Sequence, residues 1–319
     1  MLSRVADSLY WMSRYLERAE HIARLVDVNL GLMLDQAQPL IDDRWPRILS
    51  AIGVDKSRAA EMGAHTILRW ITFDPANHSS IISAIIAARE NARQVREQIS
   101  SEMWEELNRL FHELRRAAIG SNEFEPQSFL EVVKQGSHLF QGLTDSTMTH
   151  GEGWQFIQLG RYIERASATA QLMDIHFNRY LSDPRQEIEP DDHPEWIGLL
   201  KSCTAFEAYC KVYTADLRAE RIAEFLLLNN EFPHSVRFAV DNIQNALDSM
   251  GSSSARRGTG KLTRLSGRLR AALSFSPMDE ILAAGLGTYL ENVKKQCTQI
   301  HAAIHQVYID YPIEMAIET

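Results

Sequence analysis

The chain has 319 residues and a formal net charge of −9, enough length to bury a core in one large domain or in two of about 150 residues, and a charge that argues against broad affinity for nucleic acid or anionic membrane. Its three cysteines, Cys203, Cys210 and Cys297, have neither a disulfide-framework nor a zinc-site spacing and fit a reducing compartment. Arg4 and Asp7 interrupt what would be the apolar core of a signal peptide, and no apolar run reaches membrane-spanning length, so a cytoplasmic protein is expected.

The first predicted element is a long helix. Its apolar residues fall at Val5, Leu9, Met12, Leu16, Ala19, Ala23, Val26, Leu30 and Met33 in steps of three and four, a coiled-coil-like seam. Shorter segments follow around Trp45 and over 70–74, set off by Pro39 and Pro75. A helix beginning near Ser79, with its seam at Ile85, Ala88, Ala92, Val95 and Ile99, is predicted to run to Ala118. After a break over 120–127, an amphipathic helix over 128–144 leads into a second long helix, whose seam is Phe156, Leu159, Ile163, Ala166, Ala170, Met173, Phe177 and Tyr180. Prolines 184, 190, 194 and 233 again separate shorter segments. The glycine- and serine-rich stretch 251–260 precedes helices over 261–274 and 278–308. No segment sustains period-two alternation, so the fold class is all-α.

The two long helices share more than periodicity. SRYLERAEHIARLVDVN at 13–29 and GRYIERASATAQLMDIH at 160–176 agree at eight positions, among them Arg14 with Arg161, Tyr15 with Tyr162, Glu17 with Glu164 and Arg18 with Arg165. Trp45 then matches Trp196, and Ser80-Ile81 matches Ser235-Val236. This pattern predicts a long-helix bundle of two pseudo-equivalent halves, 1–150 and 151–319, made by internal duplication.

On an ideal helix, at about 100° per residue, Arg14, Glu17, Arg18 and His21 cluster opposite the Leu16 and Ala19 seam. They form a solvated face, pair across the pseudo-symmetry axis, or line a shared cavity; Arg161, Glu164 and Arg165 repeat the choice. Arg89, Arg93 and Arg96 are expected along one edge of the Ser79 helix, with Glu90, Trp104 and Glu105 further round. Such arginines can bury their stems and hold a carboxylate or phosphate in a bidentate fork. The second half has Gln244, Asn245, Asp248 and Gly251 at the positions matching 89, 90, 93 and 96, so this basic edge belongs to one half and is the preferred anion-binding candidate.

Other chemistries find less support. A ferritin-type site needs two Glu-x-x-His pairs, and the one here, Glu231 to His234, spans Pro233. His301 and His305 lack a third ligand, so neither metal nor cofactor is expected. Cys203 and Cys210, two helical turns apart among apolar neighbours, read as structural thiols. GTGKL at 258–262 lacks the earlier glycine and the hydroxyl residue of a phosphate loop.

Taken together, LYWMSRYLERAEHIARL near the N-terminus, FDPANHSSI at 73–81, AARENARQVREQISSEMWEELN at 87–108, GRYIERA at 160–166 and FLLLNNEFPHSVRF at 225–238 resemble the bacterial alpha-E domain family over nearly the whole chain. His78 departs from the proline of that pattern, which bears on a turn. The resemblance implies association with circularly permuted ATP-grasp amide ligases and with transglutaminase-like proteases, and hence an accessory role in making a peptide or amide-linked modification. Two alternatives stay open: an enzyme acting on an amide bond with Glu17, Glu164, Glu90 or Glu105 as acid or base, and a structural scaffold.

Overall fold

The computed structural model describes residues 1–34, 38–119, 126–180, 187–214, 216–251 and 259–309. Among them are fourteen α-helices and no strand, in agreement with the all-α expectation. The first half holds α1 (Ser3–Met33), α2 (Gln38–Ala51), α3 (Ala64–Phe73), α4 (Ile81–Gln94), α5 (Ser101–Ile119) and α6 (Pro126–Thr147). The second holds α7 (Glu152–Tyr180), α8 (His193–Ser202), α9 (Phe206–Tyr213), α10 (Ala219–Leu228), α11 (Val236–Gly251), α12 (Thr259–Phe275), α13 (Met278–Ala284) and α14 (Leu286–Ile304). The glycine-rich stretch anticipated at 251–260 lies mostly outside the described residues, as does most of the break at 120–127.

Helices α1 and α7 pack on each other at the centre of the bundle. α1 also packs on α4 and α6, and α7 on α11 and α14; α5 rests against α4 and α6, and α12 against α11 and α14. The pairing order is thus the same in the two halves. The seam explains the centre: Leu9, Met12, Leu16, Ala19, Ala23 and Val26 of α1 and Phe156, Leu159, Ile163, Ala166, Ala170 and Met173 of α7 are all buried. Close approach has a specific cause at Gly160, where a Cβ would collide with the carbonyl oxygen of Tyr10. Protein interiors pack too densely to absorb such an overlap without moving the helices.

The turns that start α4 and α11 are built alike. Ser80 Oγ accepts from Ser83 N at 3.2 Å and donates to Asp74 O at 2.7 Å. Ser235 Oγ accepts from Phe238 N at 3.0 Å and donates to Asn229 O. Each serine satisfies one of the backbone N–H groups that a helix start leaves without a partner.

Two expected helices are interrupted. The one predicted over 79–118 ends at Gln94, gives way to a 3₁₀ turn over Arg96–Gln98 and restarts at Ser101. The restart is local chemistry: Ser100 Oγ accepts from Met103 N at 3.2 Å, an N-cap inside a stretch with continuous apolar spacing. The one predicted over 278–308 breaks at Gly285, whose φ of 99° favours glycine. Cys203 follows α8 as its C-cap and Cys210 lies on α9, with Thr204 (φ 53°) between them.

Candidate functional site

Where α1 crosses α7, the repeated Arg-Tyr-x-Glu-Arg motif exchanges charges between the two helices. Arg14 donates to Glu164 Oε2 from Nε at 2.9 Å and from Nη2 at 2.7 Å. Arg18 donates to Glu164 from Nε at 2.6 Å and from Nη2 at 3.1 Å. In return Arg165 of α7 donates to Glu17 of α1 from Nε at 2.5 Å and Nη2 at 2.9 Å, a bidentate fork. The motif face is therefore turned toward the partner helix, the second of the arrangements left open by the sequence. Burial pushes the Glu164 carboxyl up in pKa, but Arg14 and Arg18 outweigh it and hold the group at about 2.

The surroundings of the exchange differ between the copies. Tyr10 hydroxyl and Arg14 Nη1 lie 2.7 and 3.2 Å from His301 Nδ1. Tyr10 stacks on the His301 ring, and the Arg14 guanidinium lies 4.9 Å from the Trp11 ring centroid. Burial, then Arg14, pulls His301 down to about 4. In the second copy Arg165 also donates to the carbonyl of Pro233, and Gln141 of α6 donates to Glu17. Arg161 Nη1 donates to Gln158 Oε1 at 3.4 Å, and its charge lies near that of Glu17.

Further along both helices the match resumes. Lys134 of α6 pairs with Asp27 of α1 at 2.7 Å, and Lys294 of α14 with Asp174 of α7 at 2.8 Å. Each lysine also holds the glutamate three residues before it, Glu131 or Glu291.

The arginine edge is partly internal to itself. Arg89 donates to Asn108 Oδ1 at 2.7 Å and to Glu90 Oε1 at 3.1 Å, while Arg93, 63% exposed, donates to Glu90 Oε2 at 2.9 Å. Because α4 stops at Gln94, Arg96 leaves the edge of that helix. It instead lies 5.5 Å from the Trp104 ring, as Arg89 does, so the indole is shared by two guanidiniums. Glu105 is exposed and, with Asn108, Arg109, His112, Arg115 and Arg116, lines an open groove on α5.

Two buried charge clusters were not anticipated from the sequence. Glu20 takes Arg24 and faces His138, and although burial raises its pKa, these partners hold it well below the usual carboxylate range. Arg44 of α2, 1% exposed, forms a two-point ion pair with Glu195 of α8 beside a small cavity that also meets Asn29, Arg47 and His176. The signal was present: aligning Trp45 with Trp196 sets Arg44 opposite Glu195. Among the described residues no three His, Cys, Asp or Glu side chains converge as metal ligands, and no helix is long and apolar enough to cross a membrane. Burial pushes the Cys203 thiol up to about 12 and Cys297 to about 11, so neither is an activated nucleophile.

These features define an all-α bundle whose two central helices interlock through reciprocal Glu-Arg pairs. Residues 1–309 match the Alpha-E family, described as a predicted alpha-helical domain with a conserved ER motif, and the chain belongs to that family. Glu17-Arg18 and Glu164-Arg165 are dipeptides of that form. The chain is similar to an uncharacterized protein of Mycobacterium tuberculosis and one of Mycobacterium bovis, each 23% identical over 335 aligned residues. The match covers 95% of this chain and 36% of each relative, so the chain spans about a third of their length. No solved structure matches it.

Proposed function

We propose that this chain is a non-catalytic binding component of a peptide- or amide-ligating system built around a circularly permuted ATP-grasp ligase. The observation that carries the reading is the state of the motif carboxylates. Glu164 is bound by two arginines and stays ionised at neutral pH, so it has no proton to deliver to a leaving amine. Glu17 and Glu90 are likewise engaged by arginines. Of the four candidate carboxylates only Glu105, exposed on α5, is left for the enzymatic alternative.

The length of the mycobacterial relatives supports a domain that works beside other polypeptide. The ligase, or its anionic product, is assigned to the edge formed by Arg89, Arg93 and Arg96 with Trp104 and Glu105; a transglutaminase-like protease is a second partner, in the cytoplasm. The repeated pairing order and the matched lysine–aspartate pairs support an origin of the two halves by duplication. Co-purification with the ligase, followed by mass analysis of any small molecule carried along, tests the reading. A ligase complex or ligase-dependent adduct is expected. Turnover of an amide substrate by the isolated chain, abolished in Glu105→Gln, would replace it with the enzymatic alternative.

A further inference from the structure

The cavity beside Arg44, between α1, α2, α7 and α8, joins a charged end to an apolar body. Both halves line it, in part through positions that correspond in their alignment: Leu25 with Leu172, Asn29 with His176 and Ile48 with Leu199. Along α8 its lining residues Glu195, Gly198, Leu199 and Ser202 follow i, i+3, i+4, i+7, one stripe about two helical turns long. The cavity measures about 40 Å³, room for about three waters. A short linear molecule suits such a slot, whereas a nucleotide is too large for it.

The two ends of the stripe differ in chemistry. At one, Arg44 spans both oxygens of Glu195, and Arg47 stands 3.6 Å from the same carboxylate. Burial pulls the pKa of His176 down to about 3 and keeps it neutral beside them. The lining there offers two guanidiniums to an anionic head, and the planar fork of an arginine matches a carboxylate. At the other end is Ser202, which lines the cavity at 4% exposure; among the described residues its hydroxyl has no hydrogen-bond partner. A buried hydroxyl left in that state costs free energy, which a guest that bonds to it recovers. Glu195 is the one acidic residue among the described lining residues and lies at the far end, so the group that meets Ser202 is a neutral hydroxyl rather than an ammonium.

We propose that this cavity binds a short hydroxycarboxylic acid, with its carboxylate on Arg47, its carbons against Leu25, Leu172 and Leu199, and its hydroxyl on Ser202. Arg47 rather than Arg44 takes the head because Arg44 is already spread over both oxygens of Glu195. The site is on different helices from the α4 edge and its test needs no ligase, so failure of co-purification and failure of this site are separate results.

The full chain is titrated with 3-hydroxypropionate, propionate and chloride, each as its sodium salt at one ionic strength, reading Tm and binding heat. A rise of about 2 °C or more with 3-hydroxypropionate is expected, with a weaker response to propionate, which lacks the hydroxyl, and none to chloride. No response to 3-hydroxypropionate, or an equal one to propionate or to chloride, overturns the proposal. Ser202→Ala is expected to keep the unliganded Tm and to bring the two acids to equal affinity; a retained preference for the hydroxy acid overturns it. Ala51→Leu, which fills the cavity from α2, should abolish both responses, and a folded variant that still responds overturns it as well. As a readout independent of either variant's folding, the Ile48 δ-methyl resonance of the wild-type chain, assigned with Ile48→Val, shifts on adding 3-hydroxypropionate and not on adding chloride; an unmoved resonance also counts against the site and overturns it.

Discussion

The two copies of one motif, placed against each other at the same crossing, end in unequal states. In the first, Arg14 and Arg18 converge on a single carboxylate, and Tyr10, Trp11 and His301 pack around the fork. In the second, Arg165 alone holds Glu17, and an amide from α6 takes the remaining valence of that carboxylate. The comparison teaches that identical residues do not fix identical roles: Arg14 forks the facing carboxylate, whereas Arg161 donates to an amide on its own helix.

The largest expected effect comes from removing the shared carboxylate. Glu164→Gln strands two guanidiniums and should cost about 3–5 kcal/mol of stability, more than Glu17→Gln, which strands one; equal losses in urea unfolding would break the asymmetry. Next is the contact between backbones. Gly160→Ala drives a methyl group into the Tyr10 carbonyl and should cost about 1–3 kcal/mol, whereas Ser13→Ala, at the matching position of α1, should change little, since a Cβ already fits there.

Acid should act through buried histidines at both copies, His301 beside Arg14 and His234 beside Arg165. His301 is favoured neutral in the folded protein, at about 4 against an ordinary 6.5. Its contribution is present in full above 6.5 and is lost as pH falls from 6.5 toward 4. His301→Gln, which imitates Gln141, should flatten the stability profile in that window when thermal unfolding is followed against pH; an unchanged slope assigns the acid sensitivity to other groups. The smallest effect on stability belongs to the surface. Arg93→Glu should shift unfolding by no more than about 0.5 kcal/mol while weakening recovery of the ligase, which would set the α4 edge apart from the crossing as a place of contact rather than of support.

The fold class and the central pair of helices were legible because their apolar seam is long and regular. The exchange across the crossing was one of three arrangements the repeated arginines and glutamates allowed, and long-range packing chose among them. The helix ends near Gln94 and Gly285 were not legible, because a serine cap and one glycine φ outweigh an apolar spacing that runs on through both sites. Nor was the hydrogen bond from Gln141 to Glu17, since the two residues lie on different helices far apart in the chain. The Arg44 and Glu195 pair was readable only by treating the alignment as a contact map.

That last pair has a consequence for assembly. Positions 44 and 195 correspond in the alignment of the halves and also touch each other. Were the second half replaced by another copy of the first, arginine would face arginine at 1% exposure; two copies of the second would set glutamate against glutamate. The unlike pair makes each half a poor mate for itself and a good one for the other, so the joined chain discriminates against homotypic docking of its own parts.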